Sequence, residues 1–247
     1  MELELAGIAL RITTPNIDKL KPLLIEYGRE SESDEAEMIE VSEQDVLAQK
    51  ELSHRVLAEM GLDRPIDELE YEFVALYKKI LNHLIKYRVI FLHGTLLAVG
   101  GNGYLFMAPS GTGKSTHARL WRERYGDLVT VINDDKPVVK VEENGSVVAY
   151  GTPWTGKHRI GCNSSVPLKG IIRLRRGKKN EICELDKMDA LKMLYLQTLR
   201  FDEAYKMKNV LEVFGAIVEN VRFYDLQCNM EIEAAEVAYE KLVHSQE

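Results

Sequence analysis

The feature that most constrains this chain is a glycine-rich loop at residues 108–115, which closes on Gly-Lys-Ser. A short apolar segment, 104–107, leads into the loop, and a helical segment, 116–125, leaves it and stops before Gly126. Glycine leaves no Cβ in the way, so the backbone N–H groups of such a loop can converge on phosphate oxygens. The order of strand, glycine loop and helix therefore predicts a polyphosphate-binding loop in an α/β protein.

The side chains that close the loop predict a magnesium-bound nucleotide. Lys114 would reach the β- and γ-phosphates, and the Ser115 hydroxyl would ligate Mg²⁺. A plain tight turn is the alternative interpretation. The residues predicted to hold the phosphates are Ser110, Gly111, Thr112, Gly113, Lys114, Ser115 and Thr116.

Composition indicates a globular protein of one large domain, or of one domain with an accessory lobe. The 247 residues are 45% hydrophobic and 29% charged, and the net charge of −7 argues against broad nucleic-acid binding. Basic residues cluster at 173–179, where we expect a solvated hairpin. Three cysteines without CxxC spacing, and no export signal or long apolar run, favour a cytoplasmic protein with no membrane partner.

The texture of the sequence changes near residue 88, which divides a predicted N-terminal α+β lobe, 1–88, from a core, 89–247. In the lobe we expect a strand over 3–13, a helix over 43–59 and a long helix whose apolar stripe runs from Ile66 to Leu84. In the core we expect a hairpin over 95–107. Further strands are predicted at 128–132, 137–141, 147–150 and 221–228, a strand pair at 170–174 and 181–185, and helices at 188–200, 209–219 and 231–244.

Two adjacent carboxylates, Asp134 and Asp135, follow the predicted strand 128–132. In a phosphate-loop protein this position faces Mg²⁺, so one carboxylate can serve the metal while the other accepts the proton of an attacking hydroxyl. Residue type and spacing leave open which aspartate takes which role. The alternative is that one aspartate only caps the turn before Pro137.

His93 stands one hairpin before the glycine loop, and the following Gly94 permits close approach. The hairpin is expected to fold His93 back toward the loop, where an imidazole could bond a phosphate oxygen or the carboxylates. A core or surface histidine without a catalytic role is the open alternative.

A third candidate is the glycine-bracketed segment 151–159, which carries Pro-Trp and then two basic side chains with a histidine between them. Lys157 and Arg159 could neutralise charge on a transferred phosphoryl group, and Trp154 and Thr155 could form a substrate pocket. The alternative is a surface turn whose Trp154 packs on the core. Arg173 and Arg200 are weaker candidates for phosphate contacts, and a salt bridge is the default for both.

The order of His93-Gly94, the hairpin, Ser-Gly-Thr-Gly-Lys-Ser at 110–115 and Asp134-Asp135 resembles the catalytic domain of HPr kinase/phosphorylase. The loop and the paired aspartates are also similar to ATP-dependent phosphoenolpyruvate carboxykinase. The resemblance covers about residues 89–176. It implies a carboxykinase-like phosphate-loop core of mixed β-sheets with flanking helices, ATP as the nucleotide and a homo-oligomer. It also implies that Asp134 acts as base on a serine hydroxyl, and Asp135 is then assigned to the metal.

These observations together predict an ATP- and Mg²⁺-dependent kinase that phosphorylates a hydroxyl group of a small molecule or peptide. Two alternatives stay open. One is a nucleotide-responsive regulatory protein with little or no catalysis, and the other is a phosphorylase or phosphatase that runs the transfer backwards. No Asn-Lys-x-Asp segment is present, which disfavours a GTPase switch.

Overall fold

The chain folds as two units, Met1–Leu84 and Ile85–Glu247, and the predicted boundary near residue 88 lies a few residues beyond this division. The computed structural model describes residues 1–30, 34–63, 65–156, 158–198 and 203–244. None of the helices in those ranges has the length and apolar composition that crossing a bilayer requires.

The first unit is a small α+β structure. Its strands are β1 (Glu2–Leu5), β2 (Ile8–Thr13) and β3 (Glu37–Glu40), and its helices are α1 (Ile17–Leu24), α2 (Glu43–Glu59) and α3 (Glu68–Leu84). Strand β2 pairs antiparallel with β1 and parallel with β3. Helix α2 has the predicted bounds and begins with a capping box between Ser42 and Asp45.

One prediction for this unit is wrong. The segment 3–13 is not one strand but a tight hairpin, because Ala6 and Gly7 adopt φ values of 53° and 75° between β1 and β2. Two consecutive positive φ angles reverse the chain with the twist that a two-residue hairpin needs.

In its described residues, the second unit is a mixed α/β structure built on a nine-stranded sheet. Its strands are β4 (Val89–Phe91), β5 (Gly94–Val99), β6 (Asn102–Met107), β7 (Val129–Asn133), β8 (Val138–Val141), β9 (Val147–Tyr150), β10 (Ser165–Arg176), β11 (Glu181–Glu184) and β12 (Arg222–Cys228). Its helices are α4 (Lys114–Tyr125), α5 (Lys187–Gln197), α6 (Ala204–Asn220) and α7 (Glu233–Leu242). The mixed α/β prediction is confirmed, and so are the hairpins β5–β6 and β8–β9.

The long strand β10 organises this sheet. Residues 165–167 pair antiparallel with β9, and the rest of the strand runs parallel to β6 on one side and β12 on the other. The predicted pairing of 170–174 with 181–185 is therefore wrong: β11 pairs with β12, which lies between β10 and β11. The basic stretch 173–179 is accordingly the end of a central strand and the turn after it, not a hairpin.

Helices cover both faces of the sheet, and alternation along β6 shows how. Leu105 and Met107 point into the core that contains residues of α5 and α6, whereas Tyr104 and Phe106 point into the core built with α4 and α7. Trp121 of α4 is fully buried against Phe106. The sheet is thus held rigidly from both sides, and its strand ends can position side chains accurately.

Candidate functional site

The topology gathers the chemically interesting residues at one edge of the sheet. Strands β6 and β7 both run antiparallel to β5, so they run in the same direction and end at the same edge. The glycine loop follows β6, Asp134 and Asp135 follow β7, and His93 directly precedes the start of β5. Strand β10 is parallel to β6 and ends there with Arg176.

The glycine loop has the backbone of an open cradle. Gly111 and Gly113 have φ values of 77° and 124°, which side chains with a Cβ rarely adopt. A Cβ placed on either glycine would meet no heavy atom within 4 Å, so the loop faces open space. Helix α4 begins at Lys114 without a side-chain cap or an acidic residue in its first turn. Such a helix N-terminus offers N–H groups and a positive dipole end to an anion.

Lys114 is buried at the base of this loop, although it carries a charged group. Its Nζ donates to the carbonyl oxygen of Ala108 at 2.8 Å and lies 3.0 Å from Nε2 of His93. Burial lowers the pKa of Lys114 because it disfavours the ammonium, while the carboxylates of Asp135 and Asp134 act in the opposite direction. The lysine is therefore held in place by acceptors that a stronger anion could replace.

His93 connects this lysine to the acid pair. An ammonium group has only donors, so Nε2 of His93 accepts from Lys114 and the ring proton lies on Nδ1. Nδ1 is 3.1 Å from Oδ1 of Asp135, which makes a continuous chain of donors and acceptors from Lys114 to Asp135. The next residue, Gly94, allows β5 to pair closely with β6, since a Cβ there would lie 2.8 Å from the carbonyl oxygen of Phe106.

The two carboxylates have different surroundings. Asp134 is buried, and its Oδ1 accepts from the Thr95 hydroxyl at 2.9 Å. Asp135 is half-buried and contacts His93 and the ammonium of Lys136. Burial alone would raise the pKa of Asp135, but these partners outweigh it and lower the pKa to about 2. Asp135 is consequently ionised throughout the physiological range.

Asn133 ties the acid pair to the loop 151–161. Its Oδ1 accepts from the backbone N–H groups of Asp135 and Lys136, at 2.9 and 2.7 Å. Its Nδ2 donates to the carbonyl and hydroxyl oxygens of Thr152, at 3.0 and 3.1 Å. At the far end of the loop, Asp134 N donates to Ile160 O at 3.2 Å. The acid pair and this loop thus form one hydrogen-bonded assembly.

The loop itself contributes less side-chain chemistry than expected. A Cβ on Gly156 would lie 3.4 Å from Cβ of Asp135, so the loop backbone passes directly beside the acid pair. Trp154 is buried and packs edge-on against Phe91, which is the core packing given above as the alternative. Thr155 is half-buried against Gly161, and Arg159 is exposed with a φ of 50°. Lys157 lies outside the described residues.

The other basic candidates divide into two groups. Arg173 and Arg175 both bond the buried carboxylate of Asp225, so the default expectation of a salt bridge for Arg173 is confirmed. Burial would raise the pKa of Asp225, but the two arginines lower it overall. Arg176, on the opposite face of the same strand, contacts the glycine loop instead. Arg200 lies outside the described residues.

Sequence reasoning missed Thr95, Asn133 and Arg176. Thr95 follows Gly94 at the start of β5, and Asn133 precedes Asp134 at the end of β7. Both are next to residues that the sequence analysis had selected, so they could have been included as candidates. Arg176 had no local signal, because its contact depends on β10 pairing with β6, which is about 65 residues away in the chain.

Oxygen donors for a metal are present, but not a dedicated cage. Among the described residues no group of three or more His, Cys, Asp or Glu side chains is arranged to hold a metal ion. Ser115 is exposed in the first turn of α4, and Asp135 is ionised. One hydroxyl and one or two carboxylates suit Mg²⁺, which usually takes most of its ligands from phosphates and water.

Comparison with known proteins gives one family and several distant relatives. The family model described as SynChlorMet cassette protein ScmC matches residues 56–232. Adenylate kinases of Thermococcus onnurineus (strain NA1) and Thermococcus kodakarensis (strain ATCC BAA-918 / JCM 12380 / KOD1) are both 28% identical. The matches span 117 and 110 residues, which are 47% and 44% of this chain and 52% and 49% of those proteins. The chain thus spans about half the length of the curated relatives it matches.

Among solved structures, the Hpr(Ser) kinase/phosphatase from Coxiella burnetii is 16% identical with a TM-score of 0.36. The match covers 63% of this chain and 95% of that one. The resemblance to HPr kinase and to the carboxykinase-like core therefore stays a prediction.

Proposed function

The chain belongs to the family of SynChlorMet cassette protein ScmC, and from this premise we propose that it is an ATP- and Mg²⁺-dependent kinase that phosphorylates a hydroxyl group. The observation that carries the proposal is the chain of contacts from Lys114 through His93 to Asp135. It joins the base of a phosphate-loop cradle to a pair of carboxylates at one edge of the sheet. The name of the two distant curated relatives, adenylate kinase, supports phosphoryl transfer as the reaction class.

The glycine loop and Lys114 would bind the phosphates. When a triphosphate enters, its oxygens replace the weak acceptors of Lys114, namely the Ala108 carbonyl and His93. The amide groups at the start of α4 complete the cradle. Ser115 and Asp135 would hold Mg²⁺, and the ion would supply neutralisation of the charge on the phosphate oxygens.

Asp134 would act as the general base. Its carboxylate is buried, and Thr95 fixes one oxygen by a hydrogen bond, which leaves the second oxygen to accept the proton of the acceptor hydroxyl. Asp135, with its pKa lowered to about 2, is a weak base and suits the metal better. Arg159, and Lys157 two residues before it in the sequence, would stabilise charge on the transferred group.

The test is phosphoryl transfer from ATP to a panel of acceptors, followed by mass spectrometry of the products. The panel contains free serine, serine peptides, polyols and, because two relatives are named adenylate kinases, adenosine monophosphate. We expect a phosphorylated hydroxyl acceptor. In Asp134→Asn, kcat should fall roughly 10²- to 10⁴-fold while nucleotide affinity stays within about threefold. Asp127→Asn, an exposed aspartate near the other end of β7, is the matched control.

The outcomes separate the alternatives. Retained transfer in Asp134→Asn would remove Asp134 as the base. Binding of Mg·ATP without any phosphorylated product would favour the regulatory protein. Conversion of a phosphorylated acceptor to the free hydroxyl, either by water to give phosphate or by added inorganic phosphate to give pyrophosphate, would favour the reverse reaction.

A further inference from the structure

Arg176, the last residue of β10, forms hydrogen bonds with the backbone of the glycine loop. Nε of Arg176 donates to the carbonyl oxygen of Thr112 at 3.0 Å, and Nη2 donates to that of Gly111 at 2.5 Å. One guanidinium therefore holds two successive carbonyls of the loop. A planar fork of donors is suited to such a double contact, whereas a lysine ammonium would serve it less well.

These two contacts fix the direction of the loop amides. No cis peptide bond occurs in the described residues, and in a trans peptide the C=O and the following N–H point in opposite directions. A carbonyl of Thr112 turned toward Arg176 thus turns the N–H of Gly113 away from it. The N–H of Thr112 is already used, at 3.2 Å, by the carbonyl oxygen of Pro109.

We infer that Arg176 is a positioning residue that sets the phosphate-binding orientation of the Thr112–Gly113 peptide. By doing so it sets the affinity of the glycine loop for a nucleoside polyphosphate. The inference rests on the proposed function for the identity of the ligand, but the effect on the loop belongs to the free protein. Arg176 acts through the loop backbone and is not assigned a contact with the substrate.

Strand pairing fixes the backbone position of Arg176. Arg176 lies opposite Cys228 in the parallel pairing of β10 with β12, and the N–H of Gly177 donates to the carbonyl oxygen of Cys228 at 2.9 Å. A Cβ on Gly177 would lie 2.2 Å from Cγ of Gln227, so the chain passes very close to β12 at this point. Alternation along the strand commits Arg173 and Arg175 to Asp225 on one face and turns Arg176 to the other.

The loop needs such a restraint because its glycines have little conformational preference of their own. Gly111 and Gly113 adopt positive φ angles, and ordering them at the moment of binding would reduce affinity. A contact that orders them beforehand increases affinity without touching the ligand. Because the contact is exposed, we expect an effect of about 10-fold, at the lower end for charged hydrogen bonds.

The experiment compares Arg176→Gln and Arg176→Lys with the control Arg175→Gln. The control removes the same charge one residue away but leaves the loop contact intact. The first readout is amide hydrogen exchange of residues 108–114 in the free protein. The second is the calorimetric affinity for Mg·ADP and Mg·ATP. We expect faster exchange in Arg176→Gln but not in Arg175→Gln. We also expect Arg176→Gln to lose about 10-fold in affinity, equally for the two nucleotides, since both carry the phosphates nearest the loop.

Arg176→Lys should fall between the wild type and Arg176→Gln in both readouts, because it keeps the charge but loses the fork. Unchanged loop exchange in Arg176→Gln overturns the inference. An affinity loss confined to ATP also overturns it, since that pattern indicates a direct contact with the terminal phosphate. If the wild-type protein binds neither nucleotide, the proposed function fails, and the exchange rates still decide whether Arg176 orders the loop.

Discussion

Two carboxylates of the second unit, Asp135 just after β7 and Asp225 within β12, both have a lowered pKa but contact different kinds of partner. Burial opposes ionisation of both, and cationic or hydrogen-bonding partners lower both pKa values. Asp225 forms ion pairs with two arginines of the neighbouring strand, and these arginines neutralise its charge within the fold. Asp135 is bonded to His93, which leads on to the lysine of an open loop.

The comparison teaches that a lowered pKa does not by itself identify a functional acid. Structural ion pairs lower pKa values just as effectively as catalytic sites do. The two acids differ in their partners: His93, which contacts Asp135, also contacts Lys114 of the open loop, whereas the arginines that contact Asp225 only neutralise its charge. We therefore expect substitutions around Asp135 to change binding and turnover, and substitutions at Asp225 to change stability.

The largest effect that sharpens this contrast is expected for Lys114→Met. Loss of the ammonium should weaken Mg·ATP about 100-fold, equivalent to about 2.7 kcal/mol, as measured by calorimetry. The free energy of unfolding should change by less than about 1 kcal/mol, because burial of the charge already offsets its contacts. Lys208→Met, on the exposed face of α6, is the control. Full nucleotide affinity in Lys114→Met would contradict the assignment.

Next in size is Asp225→Asn, which should produce the opposite pattern. Removing the carboxylate leaves Arg173 and Arg175 side by side, and we expect the free energy of unfolding to fall by about 2 kcal/mol in urea denaturation. This is less than for a fully buried pair because both arginines are partly exposed. Nucleotide affinity should stay within about twofold, and Asp127→Asn should change neither quantity. A large loss of affinity would break the distinction between the two acids.

The smallest effect concerns acid stability. Because the folded-state pKa of Asp135 is lowered to about 2, its ionised form stabilises the fold above the unfolded pKa near 3.9, and this contribution is lost as the pH falls toward 2. The difference in unfolding free energy between wild type and Asp135→Asn should thus be on the order of 1 kcal/mol at pH 6 and shrink between pH 4 and pH 2. Chemical denaturation at pH 6, 4 and 3 measures it. A difference independent of pH would show that the charge is not responsible.

Local patterns predicted the parts of the fold that are local. Helix α2 and the turn between β8 and β9 were predictable because a capping residue and an Asn-Gly pair mark them in the sequence itself. The break in 3–13 was missed because Ala6, with its positive φ, is not a typical turn residue. The partner of β10 was predicted wrongly because β12, which separates it from β11, comes more than 40 residues later in the chain.

The site shows the same division. The placement of the glycine loop after β6 and of the acid pair after β7 was predicted from residue type and spacing. The contacts of His93 with Lys114 and Asp135 follow from the short hairpin that was predicted between His93 and the loop. The burial of Trp154 against Phe91 could not be derived, since a glycine-bracketed tryptophan suits a pocket and a core equally well. Arg176 depended on strand pairing across the sheet, which no local pattern encodes.

The position of β12 between β10 and β11 has a consequence for biosynthesis. When β11 has just been synthesised, the nascent chain already contains the glycine loop, Asp134, Asp135 and Arg176. One side of β10 nevertheless lacks its partner strand until residues 222–228 have been added. Such an open strand edge is prone to pair with other chains, and long-range parallel pairing is slow to form. Ribosome-bound chains stalled between β11 and β12 should therefore be the species that aggregates or recruits chaperones, and release of β12 should relieve both.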